Sequence, residues 1–344
     1  METSFKNRTK RRTAMATRKS PSGLDTQLQD LHTKLDSARG EIAKRIFGQE
    51  AVIDQTLITL LAGGHTLLVG VPGLAKTLLV STLGEVMGLS SRRIQCTPDL
   101  MPSDILGTEV LEEDDGGRKS FRFIEGPVFS QLLMADEINR ASPRTQSALL
   151  QAMQERTVSV AGHTHLLPKP FHVLATQNPL EHEGTYPLPE AQLDRFMMEI
   201  TVGYPEEHDE KAMIIATTSG KKTAVNAVFD GDALMAAQEL LTQIPVGEKV
   251  VEGIVTLVRH ARPETSPDKK VAESLAWGPG PRAGQTLLAC ARVSAALDGR
   301  PTPSLDDVAA LAPAVLRHRM QPTFTARAEG VTVEDIIRHL VAKL

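Results

Sequence analysis

Residues 70–77 read GVPGLAKT, in which glycines, a lysine and a hydroxyl stand at the spacing of a phosphate-binding loop. Such a loop turns consecutive backbone N–H groups and the positive end of a helix toward oxyanions, and adds a lysine for the terminal phosphates and a hydroxyl for Mg2+. Here Gly70 leaves a strand, Pro72 and Gly73 shape the bend, Lys76 carries the charge and Thr77 the hydroxyl. Val71, Leu74, Ala75 and Leu78 complete the stretch whose backbone would lie against a nucleotide. The pattern GxxxxGK[ST] asks for glycine where Ala75 stands. Its methyl group removes freedom at positive φ and closest backbone approach. Ala75 is therefore expected in the first helical turn at negative φ, its N–H still facing the phosphates. A glycine-rich strand-to-helix turn without a ligand would read the same over eight residues, so the context has to decide.

Two further stretches supply that context. LLMADE, residues 132–137, is an apolar run ending in two carboxylates. From a neighbouring strand Asp136 can enter the shell of a bound Mg2+, and Glu137 can polarise an attacking water. An ordinary acid pair at a strand end has the same composition, but the preceding lysine loop favours the chemical reading. FHVLATQNP, residues 171–179, is a third apolar run, and Asn178 at its end can bond a phosphate oxygen or orient water without adding negative charge. The alternative is a turn-forming Asn before Pro179.

These groups need strands that end where helices begin. TLLVG at 66–70 reads as a buried parallel strand followed directly by a helix, and LLMADE is followed by SPRTQSALLQAMQER, with Ser142 as N-cap and Pro143 at the first helical position. Strands alternating with helices predict an α/β fold: a parallel sheet flanked by helices, with polar chemistry at the strands' carboxyl ends. Two hairpins interrupt the alternation, one at 107–126 around DDGG and one at 157–167. Beyond about Ser219 strand signals fade. Ser304 with Asp307 and Thr332 with Asp335 mark helix starts, and GPGPRA places Arg282 in the first turn of another helix. The expected division is a basic tail over 1–22, an α/β domain over 23–220 and a smaller all-α lid over 228–344.

Composition limits the function. A net charge of -4 and 3% aromatics give no support to a basic, base-stacking surface, so nucleic acid is not expected as a partner. Seven Lys or Arg fall in the first twenty residues, which read as a solvated arm with no apolar signal-peptide core. No run of about 18 apolar residues follows, and a cytoplasmic location is expected. Cys96 and Cys290 lack CxxC partners and read as free buried thiols.

GVPGLAKT, LLMADEINRASPRTQSALLQAMQE, VLATQNP and PEAQLDRF, in this order, closely resemble the MoxR family of AAA+ ATPases. The resemblance spans roughly residues 24–344, and DEINRA with TQSALL and LDRF is far more specific than the loop alone. It implies a P-loop NTPase fold, ATP and Mg2+ as cofactors, GVPGLAKT as Walker A, Asp136 and Glu137 as Walker B, and Asn178 as sensor 1. It further implies that Arg195 of LDRF is the finger completing a neighbouring subunit's site, that Arg282 is sensor 2, and that Ile46, Phe47 and Gly48 flank the adenine. The bland readings are an intrachain ion pair for Arg195, near Asp194 or with Glu199, and a surface charge for Arg282.

As partners the resemblance implies other copies of the chain in a ring, a hexamer by family habit, and a protein client remodelled or matured, often beside a von Willebrand factor A domain protein. The rival is a nucleic-acid motor, since related branches with the same inserts include helicases. Three other features carry less. His163 and His165 read as a solvated hairpin tip, Arg140 as a contact to a neighbour across the ring or, nearly as readily, a local salt bridge with Glu137 or Asp136, and Met197 and Met198 as core.

Overall fold

The computed structural model describes residues 21–113, 117, 119–181, 184–218 and 223–344. The basic arm up to residue 20 and most of the DDGG turn lie outside these residues, as does the expected junction near 220. Helices α1 (Pro21–Ala43) and α2 (Glu50–Leu61) precede strand β1 (Thr66–Val69) and helix α3 (Lys76–Val86). Then come β2 (Ser91–Gln95), α4 (Pro102–Leu106), the hairpin β3 (Gly107–Glu113) and β4 (Lys119–Glu125), β5 (Leu132–Asp136) and α5 (Pro143–Glu155). A second hairpin, β6 (Thr157–Val160) and β7 (His163–Leu166), leads into β8 (His172–Gln177), α6 (Glu190–Leu193), β9 (Met198–Thr201) and α7 (Glu207–Thr218). The remainder is mainly helical: α8 (Gly231–Thr242), α9 (Glu248–His260), α10 (Lys269–Ser274), α11 (Pro281–Leu297), α12 (Leu305–Leu316), α13 (Phe324–Ala328) and α14 (Val333–Val341).

Five strands form one parallel sheet in the order β2-β5-β8-β1-β9. β5 and the first five residues of β8 are buried throughout, as continuous apolar runs require when helices cover both faces. The expectation that the strand bearing Asp136 adjoins β1 is corrected here: β8 pairs with both, through Leu67 opposite Ala175 on one side and Leu133 opposite Val173 on the other. Apolar composition shows that a strand is buried but not its rank in the sheet, and β8, formed late in the chain, inserts between two earlier strands.

The helix starts follow the local chemistry. The Ser142 hydroxyl accepts from Thr145 N–H at 3.3 Å with Pro143 at the first helical position, and Ser304 and Thr332 form reciprocal capping boxes with Asp307 and Asp335. Both expected hairpins are present, and they pack on each other. The His165 ring stacks on Phe123, centroids 4.0 Å apart, with Phe129 edge-on. This corrects the reading of His165 as part of a solvated tip: positive φ at Ala161 and Gly162 makes the turn, and the histidines lie along β7. Met198 is buried and Met197 packs partly against the core, as expected. Cys96 and Cys290 are free, and burial pushes both thiols up to about 12. No described helix is long and apolar enough to cross a membrane.

Two buried histidines make the fold sensitive to acid. His65 accepts from Val173 N–H at 2.9 Å and pairs with Met153 C=O at 3.2 Å; His172 pairs with Gly64 C=O at 2.8 Å. Burial pushes His65 down to about 3 and His172 to about 4, and His318 is likewise lowered by burial. A ring whose folded value lies below its unfolded one stabilises the fold fully above about pH 6.5, and that stability is lost as pH falls toward the folded value. Glu199 opposes them. Burial pushes it up to about 7, so its contribution is present in acid and fades as pH rises through 7. The rings outnumber it, and stability in urea should fall by roughly 2–4 kcal/mol from pH 7 to pH 5. A flat profile over that window would contradict neutral burial of these rings.

Candidate active site

The carboxyl ends of β1, β8 and β5 lie side by side, and each delivers one of the chemical groups. After β1 the chain enters the loop at Gly70, where a Cβ would stand 2.6 Å from the Val202 carbonyl oxygen, so only glycine passes. Lys76 opens α3 and turns back over the loop, its Nζ donating to the carbonyls of Gly70 and, at 3.3 Å, Val71. Burial lowers its affinity for the proton, while Asp136, Glu137 and Glu181 pull the other way. Two neutral carbonyls are a weak match for a half-buried ammonium, and phosphate oxyanions would offer the missing charge. Thr77 is exposed one residue further on.

Ala75 departs from expectation. It has φ 56 and ψ 19, in the left-handed region, and occupies the N-cap of α3 rather than its first turn. Its carbonyl already accepts from Leu79 N–H at 2.8 Å. The loop must fold its N–H groups inward and then start a right-handed helix at once, which puts the intervening residue at positive φ. The position does want glycine, and alanine tolerates it at a cost of about 1–2 kcal/mol. Ala75→Gly relieves that cost but adds up to about 1 kcal/mol of unfolded-state entropy, so a small net gain in thermal stability is expected. A clear drop in melting temperature would argue against the left-handed conformation.

At the end of β5, Asp136 is 8% exposed. Its Oδ1 accepts from the Thr176 hydroxyl at 2.6 Å and its Oδ2 from Arg93, Nε at 3.1 Å and Nη2 at 2.5 Å. Glu137 turns the chain sharply, with φ 55, and its N–H donates to the same Thr176 hydroxyl at 2.8 Å. Its Oε2 accepts from Gln95 Nε2 at 2.9 Å and Arg140 Nη1 at 3.0 Å, so within this chain Arg140 forms the local salt bridge, one of its two readings. Nothing in the sequence marks Arg93, Gln95 or Thr176 for the site. Each is an ordinary strand residue, and only adjacency across β2-β5-β8 gives it a role.

Asn178, 4% exposed, follows β8. Its Oδ1 accepts from Leu180 N–H at 3.1 Å, so the turn-forming reading is also correct. The two readings are compatible, since anchoring the carbonyl end leaves Nδ2 as a donor, the polarity a phosphate oxygen or a water needs.

The arginines part company. Arg282, at the start of α11, donates to Asp194 Oδ2 at 3.1 Å, tying the helical region to the turn before β9. Arg195, on that same turn, is half-buried and has no ion pair among the described residues; the expected alternatives, a pair near Asp194 or with Glu199, are not formed. Asp194 is instead taken by Arg282 and by Arg319, whose Nε donates to Oδ1 at 2.7 Å. Arg319 escapes sequence reading because a basic RHR run resembles solvated surface.

Beside the loop lies a cavity of about 250 Å³, lined by Ile46, Phe47, Leu74, Ala75, Tyr204 and Met213 among others. Ile46 and Phe47, expected to flank the adenine, both line this cavity. Gly48 shapes the segment instead: φ is +64, and a Cβ would meet the Asp209 carboxylate at 2.5 Å. The cleft is lined mainly by apolar side chains and borders the loop that leads into the N-terminus of α3, the kind of place where a ring and an anion could lie together.

Comparison with known proteins accords with this geometry. Residues 65–198 match a family model described as the ATPase family associated with various cellular activities (AAA), and residues 268–340 match an AAA lid domain. The chain is similar to Chaperone MoxR1 of Mycobacterium tuberculosis, 42% identical over 93% of this chain and 84% of the relative. It is also similar to Protein MoxR of Methylorubrum extorquens, 31% identical over 91% and 95%. A crystal structure of an inferred ATPase from Cytophaga hutchinsonii superposes with a TM-score of 0.87 at 36% identity, covering 94% of this chain and 98% of the other.

Proposed function

Since this chain belongs to the MoxR family of AAA+ ATPases, we propose that it binds and hydrolyses ATP with Mg2+ at subunit interfaces of a ring, hexameric by family habit, and that it uses the cycle to remodel or mature a protein client in the cytoplasm. The observation that carries this reading is the convergence of Lys76, Asp136, Glu137 and Asn178 at the carboxyl ends of three parallel strands, with Arg195, unpaired among the described residues, on the neighbouring turn.

The loop N–H groups from Val71 to Leu78 and the α3 N-terminus bind the phosphates, and Lys76 exchanges its carbonyl partners for phosphate oxygens. The donor set suits Mg2+, a hard cation held by one or two carboxylates plus phosphates. Thr77 and Asp136 would hold it, with Arg93 giving up Asp136 Oδ2. When bound, the ion neutralises charge on the phosphate oxygens. Glu137 takes the proton of the attacking water, oriented by its bonds to Gln95 and Arg140. Asn178 donates Nδ2 to the γ-phosphate or to that water. Arg282 contacts the nucleotide of its own subunit, and Arg195 that of its neighbour, where charge on the equatorial oxygens is worth most.

Lys76→Ala tests the site directly. It should abolish binding of a fluorescent ATP analogue without changing the fold measured by circular dichroism, and unchanged affinity would refute the phosphate-loop assignment. The client, together with any von Willebrand factor A domain protein that accompanies it, would be captured on an ATP-loaded Glu137→Gln ring. Strong stimulation of ATP turnover by single- or double-stranded DNA at physiological salt would instead favour the nucleic-acid motor.

A further inference from the structure

We propose that Arg319, which lies outside the nucleotide cleft, is the positioning residue for Arg195. The inference rests on the reading of Arg195 as the arginine that completes a neighbouring subunit's site. Arg319 closes the short 3-10 turn Arg317–Arg319 after α12 and, at 1% exposed, heads the fully buried side chains in size. All five guanidinium donors are used. Nε donates to Asp194 Oδ1 at 2.7 Å, Nη1 to the carbonyls of Met197 at 3.2 Å and Val315, and Nη2 to the carbonyls of Phe196 at 2.7 Å and Asp194 at 3.4 Å. All but the Val315 carbonyl belong to residues that bracket Arg195 on both sides.

A buried arginine that merely bolted the helical region to the sheet could have chosen any acceptors. This one takes the carbonyls immediately before and after Arg195, which fixes the backbone direction at Arg195. It also takes one oxygen of Asp194, and it keeps that hold when Arg282 leaves the other oxygen for the nucleotide. The carboxylate nearest to Arg195 in the chain is thereby withdrawn, and the Arg195 guanidinium keeps its charge unspent for an acceptor outside its own subunit. A lysine could not substitute, because three donors on a flexible point charge cannot hold five acceptors in a fork.

The test uses the full chain and compares Arg319→Met, Arg319→Lys, Arg195→Ala and the double variant Arg195→Ala/Arg319→Lys. The readouts are kcat, ATP affinity in a Glu137→Gln background, and ring size by light scattering. Arg319→Lys should lower kcat about tenfold or more while ATP affinity stays within about twofold, and should cost nothing further when Arg195 is already alanine. Arg319→Lys subunits mixed with Glu137→Gln subunits should regain turnover, since their own catalytic glutamate is intact. If Arg319→Met fails to fold, the lysine variant carries the same comparison. An equal loss of kcat in the Arg195→Ala background, or a parallel loss of ATP affinity, would reduce Arg319 to a structural bolt and overturn the proposal. Wild-type turnover in Arg195→Ala alone would overturn the assignment of Arg195 itself, a distinct result.

Discussion

Glu137→Gln is expected to leave ATP binding in place and to lower turnover by ~10²–10⁴, the usual share of a positioned general base. The substitution is nearly isosteric, so the amide oxygen can still accept from Arg140, which lies 3.0 Å from Oε2, while the backbone N–H keeps its 2.8 Å bond to Thr176. What disappears is the ability to take a proton. Asp136 and Glu137, although consecutive in the chain, have different partners, and the backbone at Glu137 is left-handed. Asp136 is spent on Thr176 and Arg93, and Glu137 is held by two side chains on one oxygen only. Phosphate release and equilibrium ATP binding, measured on the same preparation, check the expectation. Equal turnover would refute the base assignment, and loss of binding would mean that the substitution had disturbed the phosphate loop.

Arg195→Ala should produce a larger effect, a fall in kcat of ~10³–10⁵, with ATP affinity almost unchanged. Arg195 lacks an ion pair among the described residues, so its removal breaks no internal salt bridge there and should not destabilise the subunit by that route. The loss would appear only where charge develops on transferred phosphate, at a site built by another copy. Mixing Arg195→Ala with Glu137→Gln subunits tests this, because each supplies what the other lacks. Recovered turnover supports action in trans; no recovery assigns the arginine to its own subunit's nucleotide.

Much of this site is legible in the chain itself. Lys76, Asp136, Glu137 and Asn178 each end or follow a strand whose apolar run is visible in the sequence, and the helix starts at Ser142, Ser304 and Thr332 announce themselves through local hydrogen-bond chemistry. The resemblance to MoxR proteins adds roles for Arg195 and Arg282 that spacing alone does not supply. Ala75 defies its residue type for an instructive reason: alanine argues for negative φ, whereas closing the loop requires the left-handed region, and the closure outweighs the preference. His165 is not legible as a packed ring because its partner, Phe123, belongs to a different hairpin.

The sequence by itself determined which groups this protein can bring to a phosphate and where each element must start, because those choices depend on neighbours within a few residues along the chain. The tertiary structure alone decided which groups face one another. It placed β8 between β1 and β5, gave Asp136 to Arg93 and Thr176, and set Asp194 between Arg282 and Arg319. Those pairings join residues far apart in the chain, and they form because a buried guanidinium or carboxylate must find its partners wherever packing has put them.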